Sequence, residues 1–597
     1  MLQRGERFLL GEDSGGLITA PSMTYSGREH TNMSSESFRT DVHSPSGAQN
    51  QSDVFAVHGA DPEVLAYAMA KYSRSALSMR ESLAEISAQR AEQFLNTFYF
   101  QYGHRSIADL AHIAFAVERL SLLAAIVLVD EQRWDGQERS TRYQNFIKSG
   151  WFFPDFGSDS GSGELYATTV RGLFAAYDRT TAAVQDALRR RVARPESMKP
   201  ETYERTLRAR AFDVARYLLP LATNTSLGQI VNARTLETQV SRLLSHPMAE
   251  IRELGVKLRD AATGPAWNVN AQAGAAFVKK LEEFEKAVTV RYAGTVPGAT
   301  GDDGSGMEAD STDGTDWPLA AEACGLLTRE TRTAPTLVKY AEANQYLMKT
   351  RTALEQAAGE LLSGVSIAPA PLVDLVERTE TLEVELAATL IYWASDHPYR
   401  QVRDLVANLP ALRVEEIIEI GLEHRGRHDE ALRAFHAGAA LRFDILMDIG
   451  GFRDMHRHRR VTQIKQGFTA KLGYETPVLG DLGADVNLLA EAGILADYQA
   501  TIEAAHAASA RIAAGSAPEG AGSALYVLPM ATRVRCLFKM DFAEAQYISE
   551  LRSGPAGHFS YRRVAWEMYL ALERQHPSLA KHIRATDFTQ PIDLLQR

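Results

Sequence analysis

Apolar residues between Pro62 and Phe100 recur at helical spacing, in VLAYAMAKY and then LAEISAQRAEQFLNTFYF, which predicts two or more amphipathic helices. HIAFAVERL and ALRFDILMDIG alternate as strands do, and LGQIVNAR and VRCLFKMDF read as two further strands. Each of the latter runs into a helical pattern, TLETQVSRLLS and AEAQYISELRS. Leu120–Val129 (LSLLAAIVLV) is about half of what a bilayer span needs and reads as a buried strand or helix. Helical spacing returns over Leu319–Leu362 and again from Pro371 (PLVDLVERTETLEVELAATLIYWASD). Residues 1–52, rich in Ser, Gly, Thr and Asn, read as a disordered leader, and Ala293–Asp316, rich in Gly and Asp, as a linker or surface insertion. The expected organisation is a leader over 1–52, a first domain over 53–292, a linker over 293–318, a helical connector over 319–363 and a second domain over 364–597.

The two domains read as copies. YLLPLATN at Tyr217–Asn224 and YVLPMATR at Tyr526–Arg533 agree at five of eight positions with an offset of 309 (526 minus 217). His104 and His112 are spaced like His428 and His436, with an offset of 324 (428 minus 104). Two matches in the same order around a central linker favour a tandem duplication of one α+β unit. His112 and His436 lie beside apolar runs and read as core histidines.

Composition narrows the function. The chain has 597 residues, too many for one core, and 45% of them are hydrophobic. A formal charge of −11 argues against a general affinity for nucleic acid or acidic membranes. Cys324 and Cys536 are too few for a disulfide framework or a cysteine metal site, so a reducing cytoplasm is the default. The N-terminus lacks a hydrophobic signal core, so secretion is not expected.

Against this background two basic clusters stand out, Gln137-Glu138-Arg139-Ser140-Thr141-Arg142-Tyr143 and Arg457-His458-Arg459-Arg460-Val461-Thr462. Guanidinium forks grip phosphate and carboxylate at two points, so such clusters suit an anionic nucleotide; the plain alternative is two solvated charged faces. His456-Arg457-His458-Arg459 has no acidic or cysteine partners at ligand spacing, which argues against a metal, and no interleaved aromatics, which argues against nucleic acid.

The paired histidines, RHRxxT, ERSTRY, LLPL and VNARTLE together resemble the flavin-dependent thymidylate synthases, over both halves from about Val54 to His582. That family carries RHRxxS followed closely by Glu-x-Ser-x-Arg in one segment; here the parts are divided. Arg457, His458 and Arg459 occupy the RHR positions, with Thr462 where Ser is usual, but IKQGFTA follows. QERSTRY supplies the other part, but DEQRWD, with Arg133 a partial substitute, stands where RHR belongs. Arg216 matches a nucleotide-binding arginine against Leu525, and Asn232 with Arg234 match the flavin-binding Asn-x-Arg against Asp541 and Ala543. Arg552 matches the arginine facing the uracil, against Leu243.

The resemblance implies two repeated α+β domains, each a mainly antiparallel sheet flanked by helices, forming an intrachain pseudo-dimer with one surviving composite site. It implies substrate contacts at Glu138, Arg139, Ser140, Thr141, Arg142, Arg216, Asp454, Arg457 and Arg552, with Arg552 also catalytic. Flavin contacts are implied at His104, Ser106, Glu138, Asn232, Arg234, Arg457, His458 and Arg459, with turn capping the alternative for His104. Asp454 stands where the family commonly has Gln, and an acid there would repel phosphate. The implied reaction is FAD-dependent methylation of dUMP to dTMP with methylenetetrahydrofolate and NADPH. A homodimer would then replace the family's tetramer. The alternatives are a diverged flavoprotein acting on another pyrimidine nucleotide and a non-catalytic nucleotide-binding or scaffold protein.

Overall fold

The computed structural model describes residues 59–71, 105–292, 331–377, 379–426, 431–477, 487–581, 583–591 and 593–595, with Val57, Met79, Leu83 and Asp429. The expected leader and linker lie outside the described residues, as do His104, His428 and Cys324. Both repeats belong to one unit, Gly59–Arg597.

In the first repeat, α1 (Pro62–Lys71) precedes a 3-10 turn at Arg105–Leu110 and strand β1 (His112–Ser121). Then follow α2 (Leu122–Leu128), β2 (Asp135–Glu138), α3 (Ser160–Arg191), α4 (Pro200–Ala215), β3 (Asn224–Asn232), α5 (Ala233–Leu244), α6 (Ala249–Thr263) and α7 (Val269–Tyr292). Helix α8 (Gln345–Leu361) connects to the second repeat, which begins with β4 (Val373–Leu375), α9 (Leu382–Trp393), α10 (Tyr399–Ala407) and α11 (Ala411–Leu422). It continues through β5 (Leu441–Asp448), α12 (Ile449–Met455), β6 (Thr462–Lys465), α13 (Leu495–Ala513), β7 (Arg533–Met540), α14 (Phe542–Ser553) and α15 (Phe559–Gln575). The sheets run β1-β3-β2 and β4-β5-β7-β6, all pairs antiparallel, so β5-β7-β6 repeats the order of the first sheet.

The local chemistry is copied with the topology. Ser121 and Asp448 cap α2 and α12, accepting from Ala124 N and Gly451 N; Asn232 and Asp541 cap α5 and α14, accepting from Thr235 N and Glu544 N. The first pair of caps sets an offset of 327 (448 minus 121) in this part of the chain, so the histidine pairs at 324 are not equivalents. His112 and His436 are exposed, which corrects their reading as core residues. Pro371 does not open a helix either. Val373–Leu375 pairs with β5, and the helix starts only at Leu382, behind the Thr381 cap. The apolar run Leu120–Val129 closes β1 and forms the buried helix α2.

The LP octapeptides form the seam between the repeats. Pro220 pairs with Pro529; Leu221 N donates to Leu528 O at 2.9 Å and Met530 N to Leu219 O at 3.0 Å. Ala222 N donates to Tyr526 O at 2.8 Å and Ala531 N to Tyr217 O at 3.0 Å. Each bond has a mate at the 309 offset (526 minus 217), so this segment meets its own copy reciprocally, as in an isologous interface. A proline suits the centre of such a seam because it brings no N–H that would need a partner there. The seam's Leu219, Leu221, Leu528 and Met530 are buried in one apolar core that draws on both repeats. A second core packs α8 to α11 on the far side of the second sheet, against Ile464 and Leu537.

Beside the seam, Tyr526 donates to Glu250, which also accepts from the Ser121 hydroxyl at 2.7 Å. The mate Tyr217 donates to Asp448 at 3.1 Å, and Ser560 donates to the same carboxylate. Burial, offset in part by Ser560, Arg216 and the Gly451 amide, raises the Asp448 carboxyl to about 6. The unfolded chain holds that proton with a pKa of about 3.9, so the folded state binds it more tightly. This contribution, about 3 kcal/mol, is complete below about pH 3.9 and is lost as the pH rises through 6. Asp448→Asn is therefore expected to lose less stability than the natural chain between about pH 4 and 8 in urea unfolding; parallel pH profiles would refute this.

Candidate functional site

Strand β2 pairs with β3, and Arg139 N extends the ladder to Ser226 O at 2.9 Å before the chain turns away through 140–147. Arg139 holds that turn from inside. It donates to Gln144 (2.8 Å), Ser149 (2.9 Å) and Asn145 O (3.2 Å), and its guanidinium lies 4.1 Å from the centroid of the Phe146 ring. Thr141 is buried, and the Ser140 hydroxyl accepts from Arg142 N at 3.3 Å.

Arg142 leaves the turn for the other repeat. Its Nε donates to Asp213 at 2.8 Å, and its remaining nitrogens donate to Tyr561 Oη (3.1 Å) and Ala556 O (3.3 Å). Burial opposes its charge, but Asp213 and Tyr561 outweigh burial and raise its pKa. Arg216, on the 3-10 turn after α4, is 2% exposed and places two nitrogens on Asp454 of α12, at 3.2 and 3.1 Å. Burial works to protonate Asp454, but Arg216, Arg142, His558 and Arg457 together hold its carboxyl below the usual range. It is therefore an ionised carboxylate.

The basic cluster of the second repeat follows α12. Arg453, one helical turn before Arg457, is ion-paired with Glu138. Arg457 is exposed and makes one 3.4 Å bond, to Gln137 Oε1. Arg459 pairs with Asp135 at 2.8 Å and lies 5.4 Å from the Trp134 ring centroid. His458 is buried and accepts at Nε2 from Arg552 Nε, at 2.7 Å; burial and then Arg552 push its pKa down to about 3. It stays neutral at physiological pH, with its proton on Nδ1 towards Glu544 at 3.4 Å. The Arg552 guanidinium also lies 5.4 Å from the Tyr561 ring centroid.

Glu138, Arg142 and Arg216 of one repeat are thus in direct contact with residues of the other, and Asp454 and Arg459 reach back across the same boundary. Arg457 and Gln137 touch along it, while Arg552 stands behind His458. Arg139 and Thr141 serve the turn itself. The expected flavin residues lie further along the first sheet: Asn232 caps α5, and Arg234 pairs with Asp109 at 3.3 Å. Ser106 falls within the turn at Arg105–Leu110, and its side chain lies outside what is described. Arg133 pairs with Asp109 and is largely exposed.

Sequence reading missed Arg453, Asp213, Tyr561 and Asp135. Spacing could have found two of them: Arg453 precedes Arg457 by four residues and Asp213 precedes Arg216 by three, each within reach of the same helix face.

At the repeat-mate positions acids replace Arg457 and the neutral His458, and a lysine replaces Glu138. With the 327 offset (448 minus 121), Asp130 takes the place of Arg457, Glu131 of His458 and Lys465 of Glu138. Asp130 pairs with Arg433, and Glu131 with Arg242 at 2.7 Å. Among the described residues, no helix is long and apolar enough to cross a membrane.

The chain is 25% identical over 566 residues to the UPF0159 protein of Chlamydia muridarum, covering 90% of this chain and 93% of that one. The UPF0159 protein of Thermoplasma acidophilum is 23% identical over 551 residues, 87% of this chain. The flavin-dependent thymidylate synthase of Clostridium tetani aligns over 239 residues at 23% identity, covering 38% of this chain but 92% of that enzyme. A solved thymidylate synthase X from Helicobacter pylori, crystallised with FAD and dUMP, matches 34% of this chain at 16% identity with a TM-score of 0.23. The model of the thymidylate synthase complementing protein family matches twice, over residues 56–264 and 375–578. Two copies of that family's domain account for most of the sequence, and the chain belongs to the thymidylate synthase complementing protein family.

Proposed function

We propose that the chain is a flavin-dependent enzyme that methylates a uracil nucleotide, converting dUMP to dTMP with methylenetetrahydrofolate and NADPH. Its single composite site lies where the two repeats meet, with the pair acting as an intrachain pseudo-dimer. The observation that carries this reading is the convergence of Glu138, Arg142 and Arg216 with Arg457, His458 and Arg552 at one boundary between repeats. Neither repeat owns the full set.

Arg457 keeps most of its N–H donors open and would grip the nucleotide phosphate, beside the Ser140 turn. Arg552, held in orientation by neutral His458, would lie at the pyrimidine edge and favour a polarised ring. The cations along the first sheet suit the pyrophosphate of FAD: Arg459 is partly exposed, and Arg234 stands in the first turn of α5, where the helix dipole also favours an anion. Bound flavin would supply the reduction, so no nucleophilic cysteine is required; the Cys536 thiol is buried and held protonated. Two chains would assemble as a homodimer, in the cytoplasm.

One observation favours a second reading, a flavoprotein acting on another pyrimidine nucleotide. The ionised Asp454 carboxylate occupies Arg216 and opposes a phosphate dianion nearby. Asp454→Gln is therefore expected to tighten dUMP binding about tenfold in calorimetry, since removing a like charge is worth on the order of 1 kcal/mol in a partly dry cleft. Unchanged affinity would mean that the phosphate lies elsewhere. The overall test is stoichiometry with turnover: one flavin and one dUMP per chain, with dUMP-dependent tritium release from C5. Two nucleotides per chain would refute the composite site, and absence of flavin would favour a scaffold.

A further inference from the structure

Tyr561 stands between two arginines of the candidate site that come from different repeats. It is the third residue of α15, is 6% exposed, and its hydroxyl accepts from Arg142 at 3.1 Å. The Arg552 guanidinium lies over its ring, 5.4 Å from the centroid, and the Arg142 guanidinium lies at 5.9 Å. An arginine has no acceptor to offer, so the bond with Arg142 leaves the phenolic hydrogen of Tyr561 unused. Among the described residues none accepts it. A tyrosine hydroxyl this buried ordinarily has a partner for its proton, and accepting from a charged guanidinium makes it a stronger donor.

The same corner holds open donors and occupied acceptors. Arg552 Nε donates to His458 Nε2 at 2.7 Å, and the other guanidinium nitrogens of Arg552 have no acceptor among the described residues. Asp213 and Ala556 O both accept from Arg142, and the Arg552 bond takes the free lone pair of His458. A ring edge bearing an oxygen suits such surroundings, since its lone pairs can accept from a hydroxyl and a guanidinium together. An amino group there would turn its own N–H groups towards donors. The other boundary lacks this hydroxyl. Glu250 and Ser560 are the second residues of α6 and α15, and Ser121 with Glu250 and Asp448 with Ser560 make one contact with hydroxyl and carboxylate exchanged. The next residue is the fully buried Ile251 in the first repeat and Tyr561 in the second.

We propose that Tyr561 makes the site select uracil over cytosine: its O–H donates to the exocyclic oxygen that uracil carries at C4, where cytosine carries an amino group. Arg552 donates to the same ring edge, and the Tyr561 ring holds that guanidinium in place. This inference rests on the pyrimidine lying at Arg552, as in the proposed function, and adds the residue that decides which pyrimidine is accepted.

Tyr561→Phe removes the hydroxyl and keeps the ring. Calorimetry on the full chain is expected to show the natural protein binding dUMP about tenfold or more tighter than dCMP. The substitution should weaken dUMP about tenfold and leave dCMP within about twofold. The shared sugar and phosphate make dCMP the internal control, because a change that only loosened Arg142 or the fold would weaken both nucleotides alike. Equal losses, or no loss for dUMP, would overturn the proposal and leave the proposed function standing. A natural chain that binds no dUMP would overturn the proposed function and this inference with it.

Discussion

Replacing Arg457 by glutamine is expected to weaken dUMP binding by about a hundredfold or more, whereas Asp130→Asn at the repeat-mate position should leave it within about twofold. Losing one charged partner of a desolvated pair costs about 2 to 5 kcal/mol, and every 1.4 kcal/mol is a factor of ten. Arg457 bears this effect because it is exposed and makes only one long bond, to Gln137, so its charge is available to a ligand. Asp130 is occupied by Arg433 on the repeat-mate side. Calorimetry on the two variants decides the matter. Normal dUMP binding by Arg457→Gln, or equal losses in both variants, would dismiss the idea of one surviving site.

Arg142→Met should cost about 3 to 5 kcal/mol of stability as well as dUMP binding. Asp213 is 2% exposed, and the substitution withdraws the guanidinium that pairs with it at 2.8 Å, leaving a buried carboxylate undercompensated. The change also cuts the bonds to Tyr561 and Ala556 O, so the junction between repeats loosens together with the turn. A double-mutant cycle with Asp213→Asn separates the terms, since removing both charges should cost much less than the sum of the single changes. Simple additivity in chemical unfolding would show that the pair is not coupled.

The two substitutions differ because sequence and structure contributed differently to the site. ERSTRY and RHR were legible as motifs, since guanidinium chemistry at fixed spacing is a local property. Their partners were not. Asp213 for Arg142 is a match between distant segments of one repeat, and Asp454 for Arg216 and Asp135 for Arg459 are matches set by how the repeats dock. Arg139 is the clearest example, a motif arginine that folds back on Gln144, Ser149 and Phe146 to hold its own turn. Nothing in its spacing distinguishes it from Arg142, three residues on.

The sequence by itself determined the duplication and, in each repeat, two long strands and the helix that follows the second of them, because periodicity acts over a few residues. It could mislead where one residue type recurs by chance, as with the histidine pairs, or where a short strand hides ahead of a helix, as at Val373–Leu375. Only the tertiary structure decided the reciprocal seam at Pro220 and Pro529, the ionised Asp454 on Arg216 and the pairing of Asp130 with Arg433. Those features depend on distances between residues far apart in the chain. Whether a charge is matched, buried or left open is fixed only when the two copies and the connector helix close around it.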